Sequence, residues 1–437
     1  MKVYFVGIGG AGMSALARFY KKKGYEVLGS DSQLSMLTEE LIAEGIPVSY
    51  KELKKNITRD IDLVIYTAAA REEHPERVEA KRRRIKSILF AQAMGDLTKQ
   101  YITIAVSGTH GKSTTTSLLA AIFIEAGLDP SVIVGTQTRE LEGKNFRAGK
   151  SRYLIIEADE YDRTFHNYQP AVTLITNIDA DHLDTYRDLA GVIKGFTQYF
   201  QGMGEGARIF VNGKDANSLK AAKPQSIKAR VVKYNNKAFS KWPLKIKGQY
   251  NQVNAEGAWQ VAKFFGVEKS DARRAMKAYE GSFRRMEELT PKDSSFCKRQ
   301  KLIFYTDYAH HPTEIAATLT AIKEKYPKKK VIVMYEAHQR ARLTLLFSDF
   351  IKAFRGYTEV WLLPEYQVKG REETSGKSAW DLYNKLTKAQ KGVEWLETVE
   401  DGIQKLEKEK VKDSVVVFMG AGAIDNKIRS YFKSLLF

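Results

Sequence analysis

Residues 101–119 read YITIAVSGTHGKSTTTSLL, an apolar β-prone run that passes through Gly108-Thr-His-Gly-Lys-Ser113 into a helical pattern. Strand, glycine loop and helix in that order predict a phosphate cradle. Backbone N–H groups converge on phosphate oxygens, the helix N-terminus adds positive potential, Lys112 supplies a point charge and the Ser113 hydroxyl suits Mg2+. The usual loop spacing would place a glycine at position 106, where this chain has Val106, so the loop is a shortened variant. The competing reading is a glycine-rich turn that binds nothing.

Outward from this loop, apolar strand-like runs alternate with helical patterns along all 437 residues. KVYFVGIGG, YEVLGSD and DLVIYTAA lie in residues 1–98; VIVG, YLIIEADE and VTLITNID in 99–283; LIFYTDYA, KVIVMYEA, EVWLLPEY and SVVVFMGAG in 284–437. Short β-rich runs separated by helices predict parallel sheets covered on both faces. The expected class is therefore α/β in three domains: a Rossmann-like N-terminal domain, a central P-loop ATPase-like domain and a Rossmann-like C-terminal domain.

In open α/β sheets, ligands gather at the carboxyl ends of strands. In the central segment those ends carry the phosphate loop, then Glu157, Asp159 and Glu160, then Asn177, Asp179, Asp181 and His182. Hard divalent ions prefer oxygen ligands, so Ser113 with Glu157, and Glu157 with His182, are the expected metal positions. Single acids at strand ends are otherwise helix caps, a reading that Asp159 and Asp181 also fit. Near the N-terminus, Gly7-Ile-Gly-Gly-Ala-Gly12 follows a strand and opens a helix, with Asp31 about twenty residues on. This pattern predicts a pyrophosphate-containing ligand at the Gly7–Gly12 turn, with Asp31 on a ribose.

Composition narrows the classes. The net charge of +18 invites a nucleic-acid reading, but the basic residues are scattered, with short clusters at 21–23, 81–84 and 328–330. Helix ends and solvated faces account for these clusters, and no nucleic-acid partner is expected. No apolar run suggests a membrane span, the N-terminus lacks the zones of a signal peptide, and the single Cys297 leaves no disulfide framework. A cytoplasmic monomer or homodimer is expected. A nicotinamide oxidoreductase built on the first glycine pattern would leave the phosphate loop without a task.

Seven motifs in order carry a resemblance: VGIGGAGMS from Val6, SGTHGKSTTT from Ser107, EADEYD from Glu157, TNIDADHLDTY from Thr176, GQYNQVNA from Gly248, FRRME from Phe283 and DYAHHPTEI from Asp307. With them the chain resembles the Mur ligase family, the ATP-dependent amino-acid ligases of peptidoglycan synthesis. The resemblance implies a UDP-sugar in the first domain, at Gly9, Gly10, Ala11, Gly12, Met13, Ser14 and Asp31, with ATP in the second domain and the incoming amino acid in the third. It implies ATP contacts from Gly108, Thr109, His110, Gly111, Lys112, Ser113, Thr114, Asn251, Asn254, Arg285 and Asp307. Metals would lie at Ser113, Glu157 and His182, with His310 beside the reacting groups and His338 and Arg342 on the amino-acid side. On sequence alone Asn251 and Asn254 read as caps, and adjacent His310 and His311 as surface or cap residues. UDP-N-acetylmuramate, L-alanine, ATP and Mg2+ are the implied ligands, with a peptide-adding, recycling type as the alternative. His338-Gln-Arg-Ala-Arg342 departs from the family's His-Arg-Tyr-Ser/Thr-Arg segment, and the interval from Asp184 to Gly248 is short.

Overall fold

The computed structural model describes residues 1–235, 241–291, 294–357, 359–367, 375–409 and 411–434. The chain divides into two compact units. The first comprises Met1–Asp179, Ala190–Pro243 and Asn254–Tyr279; the second comprises Ala180–Leu189, Leu244–Val253 and Glu280–Phe437.

The first unit contains two sheets. One is formed by β1 (Lys2–Val6), β2 (Glu26–Ser30), β3 (Val48–Ser49), β4 (Leu63–Tyr66) and β5 (Lys86–Leu89), in the all-parallel order β3-β2-β1-β4-β5. Strand order reverses on either side of β1, so a crevice opens at its carboxyl end, where Gly7–Gly12 lies. Tyr4, Val6 and Val64 are core residues on one face of this sheet.

The other sheet is formed by β6 (Ile102–Ser107), β7 (Ser131–Thr138), β8 (Lys144–Arg147), β9 (Tyr153–Glu157), β10 (Val172–Ile175), β11 (Arg208–Asn212) and β12 (Arg230–Tyr234). Its order is β12-β11-β10-β6-β9-β7-β8, parallel except where β8 runs antiparallel to β7. β6 is flanked by β10 and β9, so the three strand ends singled out from sequence are neighbours. Val106 is fully buried inside β6, registered against Leu174 and Glu157. The loop leaves the sheet only after Ser107, which is why it needs no glycine at position 106.

The second unit holds β13 (Glu287–Glu288), β14 (Ile303–Asp307), β15 (Lys330–His338), β16 (Glu359–Tyr366), β17 (Val393–Trp395) and β18 (Ser414–Met419), in the order β13-β14-β18-β15-β16-β17. β13 alone pairs antiparallel. Alternation along β18 divides its residues between two cores: Val415, Val417 and Met419 pack with Tyr305 and Val333, and Val416 and Phe418 with Phe304 and Met334. Burial on both faces accounts for a nearly unbroken apolar strand, each such side chain contributing roughly 1.5–3 kcal/mol. Cys297, which the sequence places in a polar stretch, is buried in the second of these cores.

Candidate active site

In the first unit the phosphate loop is built around two glycines that no other residue could replace without distortion. Gly108 has φ of 123°, and a Cβ there would lie 2.2 Å from Thr176 Oγ1. Gly111, at φ of 82°, caps the helix Lys112–Glu125, and a Cβ there would lie 2.9 Å from the Asn254 amide nitrogen. The strand end after β10 fastens the loop. Asn177 Oδ1 accepts from the His110 N–H at 3.0 Å, Asn177 O accepts from Thr109 N–H, and Thr176 and Asn177 both donate to His110 O. Asp179 accepts from the His110 ring at 3.1 Å. Two of the polar residues proposed from sequence as metal-site neighbours thus hold the loop itself.

Lys112 and Ser113 open the helix from opposite sides of a carboxylate-rich wall. Lys112 Nζ donates to Glu160 at 2.8 and 3.1 Å and to the carbonyls of Gly108 and Thr109. Burial pushes its pKa down, but the charges of Glu160 and Asp159 outweigh that and raise it, so the ammonium is permanent near neutrality. Ser113 Oγ donates to Glu157 Oε1 at 3.1 Å, and the Gly135 N–H donates to Glu157 Oε2 at 2.9 Å. Thr114 is buried in the helix's first turn. Asp159 accepts from Tyr161 N–H, the local cap that its position suggests. Glu160 is 1% exposed, and its pairing with Lys112 had no signal in the sequence beyond an acid near a strand end.

At the carboxyl end of β1, Gly10 caps the helix Ala11–Lys22, whose last turn carries Lys21 and Lys22. Asp31 Oδ2 accepts from Gly9 N–H at 2.8 Å and Oδ1 from Gln33 N–H. Its carboxylate therefore shapes the glycine turn. Met13 and Ser14 are buried, and the Ser14 hydroxyl donates to Ala11 O while accepting from Asn145. Ser14 supports the turn from behind, with its hydroxyl already engaged.

The second unit gathers the remaining candidates. Arg342, His182, His310 and His311 all act electrostatically on the Asp181 carboxylate. Asp181 Oδ1 accepts from Arg342 Nε at 3.0 Å and from His182 N–H at 2.8 Å. Burial would raise the Asp181 pKa, but Arg342 and His182 hold the carboxyl well below the usual range. Asp181 is thus an ion-pair partner, where the sequence suggested a cap. His182 adopts the left-handed conformation at φ of 52° as it enters a short helix.

His310 is partly buried, and its Nδ1–H donates to Tyr308 O at 2.9 Å, which leaves Nε2 as an acceptor. Burial pushes its pKa down to about 3, with Arg342 adding to the effect. At neutral pH it is an uncharged and weakly basic imidazole. His311 caps the helix Pro312–Lys325 through Thr313 N–H and also meets Ala180 O at 3.1 Å. Neither histidine is a surface residue. His338, at the end of β15, stacks on Tyr366 of β16 with ring centroids 5.8 Å apart, and burial lowers its pKa to about 4. Tyr366 gives this altered segment an aromatic partner from another strand, a contact that local sequence does not reveal.

Asp307 ends β14 and accepts from the N–H groups of Met286 and Ala309 and from Thr318; burial raises its pKa to about 6. Arg285 lies 3.8 Å from Glu314 and over the Tyr308 ring. Asn251 and Asn254 fall inside the helix Gln249–Phe264, so neither is its cap; Asn251 donates back to Lys247 O at 2.6 Å.

A parallel sheet with its glycine turn at a topological switch point, and a second sheet whose central strand feeds a Gly-Lys-Ser helix start, define a multidomain nucleotide-handling α/β protein. Sequence comparison gives its lineage. Residues 2–102 match the Mur ligase family catalytic domain, 106–270 the Mur ligase middle domain, and 284–422 the Mur ligase glutamate ligase domain. The chain belongs to the Mur ligase family. It is 34% identical over 455 aligned positions to the UDP-N-acetylmuramate–L-alanine ligase of Caldicellulosiruptor saccharolyticus, covering 98% of this chain and 97% of that protein. The crystal structure of the UDP-N-acetylmuramate–alanine ligase of Thermotoga maritima superposes with a TM-score of 0.81 at 25% identity, covering 100% and 99% of the two chains. A murein peptide ligase of Psychrobacter arcticus shares the fold, with a TM-score of 0.73 at 20% identity over 100% and 98%.

Proposed function

We propose that this chain is an ATP-dependent ligase that joins L-alanine to the lactyl carboxylate of UDP-N-acetylmuramate. The observation that carries this reading is end-to-end similarity to alanine-adding ligases in a chain whose phosphate loop sets Lys112 and Ser113 against Glu160 and Glu157. The domains are assigned as 1–98 for the UDP-sugar, 99–283 for ATP and 284–437 for the amino acid. Among the described residues no helix is long and apolar enough to cross a membrane.

The loop N–H groups and Lys112 bind the ATP phosphates, with Asn254 packed beneath Gly111. Ser113 Oγ and Glu157 form an oxygen-only donor pair that suits Mg2+. When bound there, the ion neutralises charge on the phosphate oxygens. The lactyl carboxylate attacks the γ-phosphorus, the bond to the β-phosphate oxygen breaks, and ADP departs from a mixed carboxylic–phosphoric anhydride. Lys112 stabilises the negative charge that grows on the β- and γ-oxygens.

The neutral amine of L-alanine then attacks the acyl carbon, inorganic phosphate leaves, and the proton lost from the nitrogen passes to water or to the departing phosphate. His310 Nε2 is too weak a base at a pKa of about 3 to carry an ammonium proton efficiently; it serves as a neutral acceptor that orients the amine. Arg342 is held by Asp181 through Nε, while its buried Nη1 has no partner among the described residues, and it is assigned to the alanine carboxylate. ADP release with UDP-N-acetylmuramate and either L-alanine or the murein tripeptide, followed by the product mass, tests this reading against the recycling type.

A further inference from the structure

The β7–β8 hairpin touches both ends of the proposed chemistry. From β7, the Gly135 N–H holds Glu157 at 2.9 Å. From β8, Asn145 reaches the glycine turn of the N-terminal domain: Nδ2 donates to Ala11 O at 2.8 Å and to Ser14 Oγ at 3.0 Å. We propose that Asn145 is a positioning residue for UDP-N-acetylmuramate, locking the glycine turn of the first domain from the neighbouring domain. This rests on the function proposed above.

The geometry leaves Asn145 one orientation. It is 1% exposed, and its Oδ1 accepts from the guanidinium of Arg18, itself 3% exposed. Arg18 is held in turn by Glu40 at 2.8 Å and Glu44 at 2.9 Å. With a cation at Oδ1, the amide must present its N–H groups to Ala11 and Ser14, so the flip ambiguity of an asparagine does not arise. Ser14 Oγ donates to Ala11 O, and Ser14 N–H donates to Gly10 O. Asn145 is thus the contact from another domain that fixes the carbonyl and hydroxyl immediately behind the turn. The N–H groups of Gly10, Ala11 and Gly12 take their direction from that same first helical turn.

Asn145→Ala removes both donors and leaves the buried Arg18 donor and Ser14 oxygen without a partner. Asn145→Asp keeps the attraction to Arg18 but turns an acceptor toward Ala11 O. A residue that only cements two domains would be rescued by aspartate, which keeps the acceptor for Arg18 and adds a charge to it. A residue that positions the turn would be harmed more by aspartate than by alanine.

The experiment measures calorimetric affinity for UDP-N-acetylmuramate and KM for each of the three substrates, in full-length wild type and both variants. The expected result is a rise of about tenfold in Kd and KM for UDP-N-acetylmuramate in Asn145→Ala, and a larger rise in Asn145→Asp. KM for ATP and L-alanine should stay within about twofold. Unchanged UDP-sugar affinity in folded variants, or equal rises in all three KM values, overturns the proposal. If Asn145→Asp does not fold, Asn145→Ser is judged against Asn145→Ala by the same split. If no variant folds, the residue is structural and the proposal falls. Wild type that neither binds UDP-N-acetylmuramate nor forms an amide refutes the function itself; wild type that does both beside unaffected variants refutes only the role of Asn145.

Discussion

Glu160 holds Lys112 in a buried ion pair, with both carboxylate oxygens within 3.1 Å of the ammonium and Glu160 only 1% exposed. Removing one partner of such a pair leaves the other desolvated and uncompensated. Glu160→Gln should therefore destabilise the protein by about 3 kcal/mol. Denaturant unfolding of both proteins measures this, and a difference below about 1 kcal/mol would mean that water or a neighbouring group replaces Glu160.

Lys112 is assigned to the ATP phosphates and the glycine turn at Gly9–Gly12 to the UDP-sugar. Lys112→Ala should lower turnover by about 10³-fold, while Kd for UDP-N-acetylmuramate stays within about twofold. Calorimetry beside steady-state rates checks both. Loss of UDP-sugar affinity in a folded variant would contradict the division of ligands between the two sheets.

The glycine loops, their strands and the three sheets were legible because each rests on local pattern: short unbroken apolar runs, glycines just past them, and a Lys-Ser pair opening a helix. What was not legible depends on residues far apart in sequence. Glu160 and Asp159 are adjacent acids, and only the fold turns one onto Lys112 and leaves the other exposed. Asp181 reads as a cap until Arg342, 161 residues later, is beside it. Asn251 and Asn254 read as caps because asparagines cluster at helix starts, yet the helix begins at Gln249 and encloses both. The antiparallel β8 strand was missed for a related reason: KNFR is too short and polar to announce itself, and its place comes from pairing with β7.

Arg342 is proposed to meet the alanine carboxylate through Nη1, which has no partner among the described residues, while Asp181 holds Nε. A lysine keeps the charge but loses the fork that satisfies both. Arg342→Lys should raise KM for L-alanine by about tenfold or more, with KM for ATP within about twofold. Initial rates at varied alanine are sufficient, and an unchanged alanine KM would remove Arg342 from the amino-acid side.

Acid sensitivity follows from three groups largely withdrawn from water, buried Asp307 and the partly buried His310 and His338. His310 and His338 titrate near 6.5 when unfolded, and at about 3 and about 4 when folded. Between those values the unfolded chain binds the extra protons, so their contribution is present above pH 6.5 and lost as pH falls. Asp307 works in the opposite sense. Its pKa rises from 3.8 to about 6, so its contribution is present below 3.8 and lost as pH rises through 6. Two histidines outweigh one carboxyl, and unfolding free energy should fall between pH 6.5 and 4. His310→Gln should make that decline shallower and Asp307→Asn steeper. Denaturant unfolding across this range tests it, and a His310→Gln slope equal to wild type would show that the histidine is solvated.

On the proposed function, this chain makes an amide between the lactyl carboxylate of UDP-N-acetylmuramate and L-alanine. Incubation with ATP, Mg2+ and UDP-N-acetylmuramate, with L-alanine or the murein tripeptide in separate reactions, followed by the mass of the UDP-linked product, tests it most directly. ADP release and a product heavier than UDP-N-acetylmuramate by one alanine residue, formed much faster than any tripeptide adduct, are expected. An adduct formed only with the tripeptide would assign the chain to the recycling type, and ADP release without any new amide would contradict the ligase reading altogether.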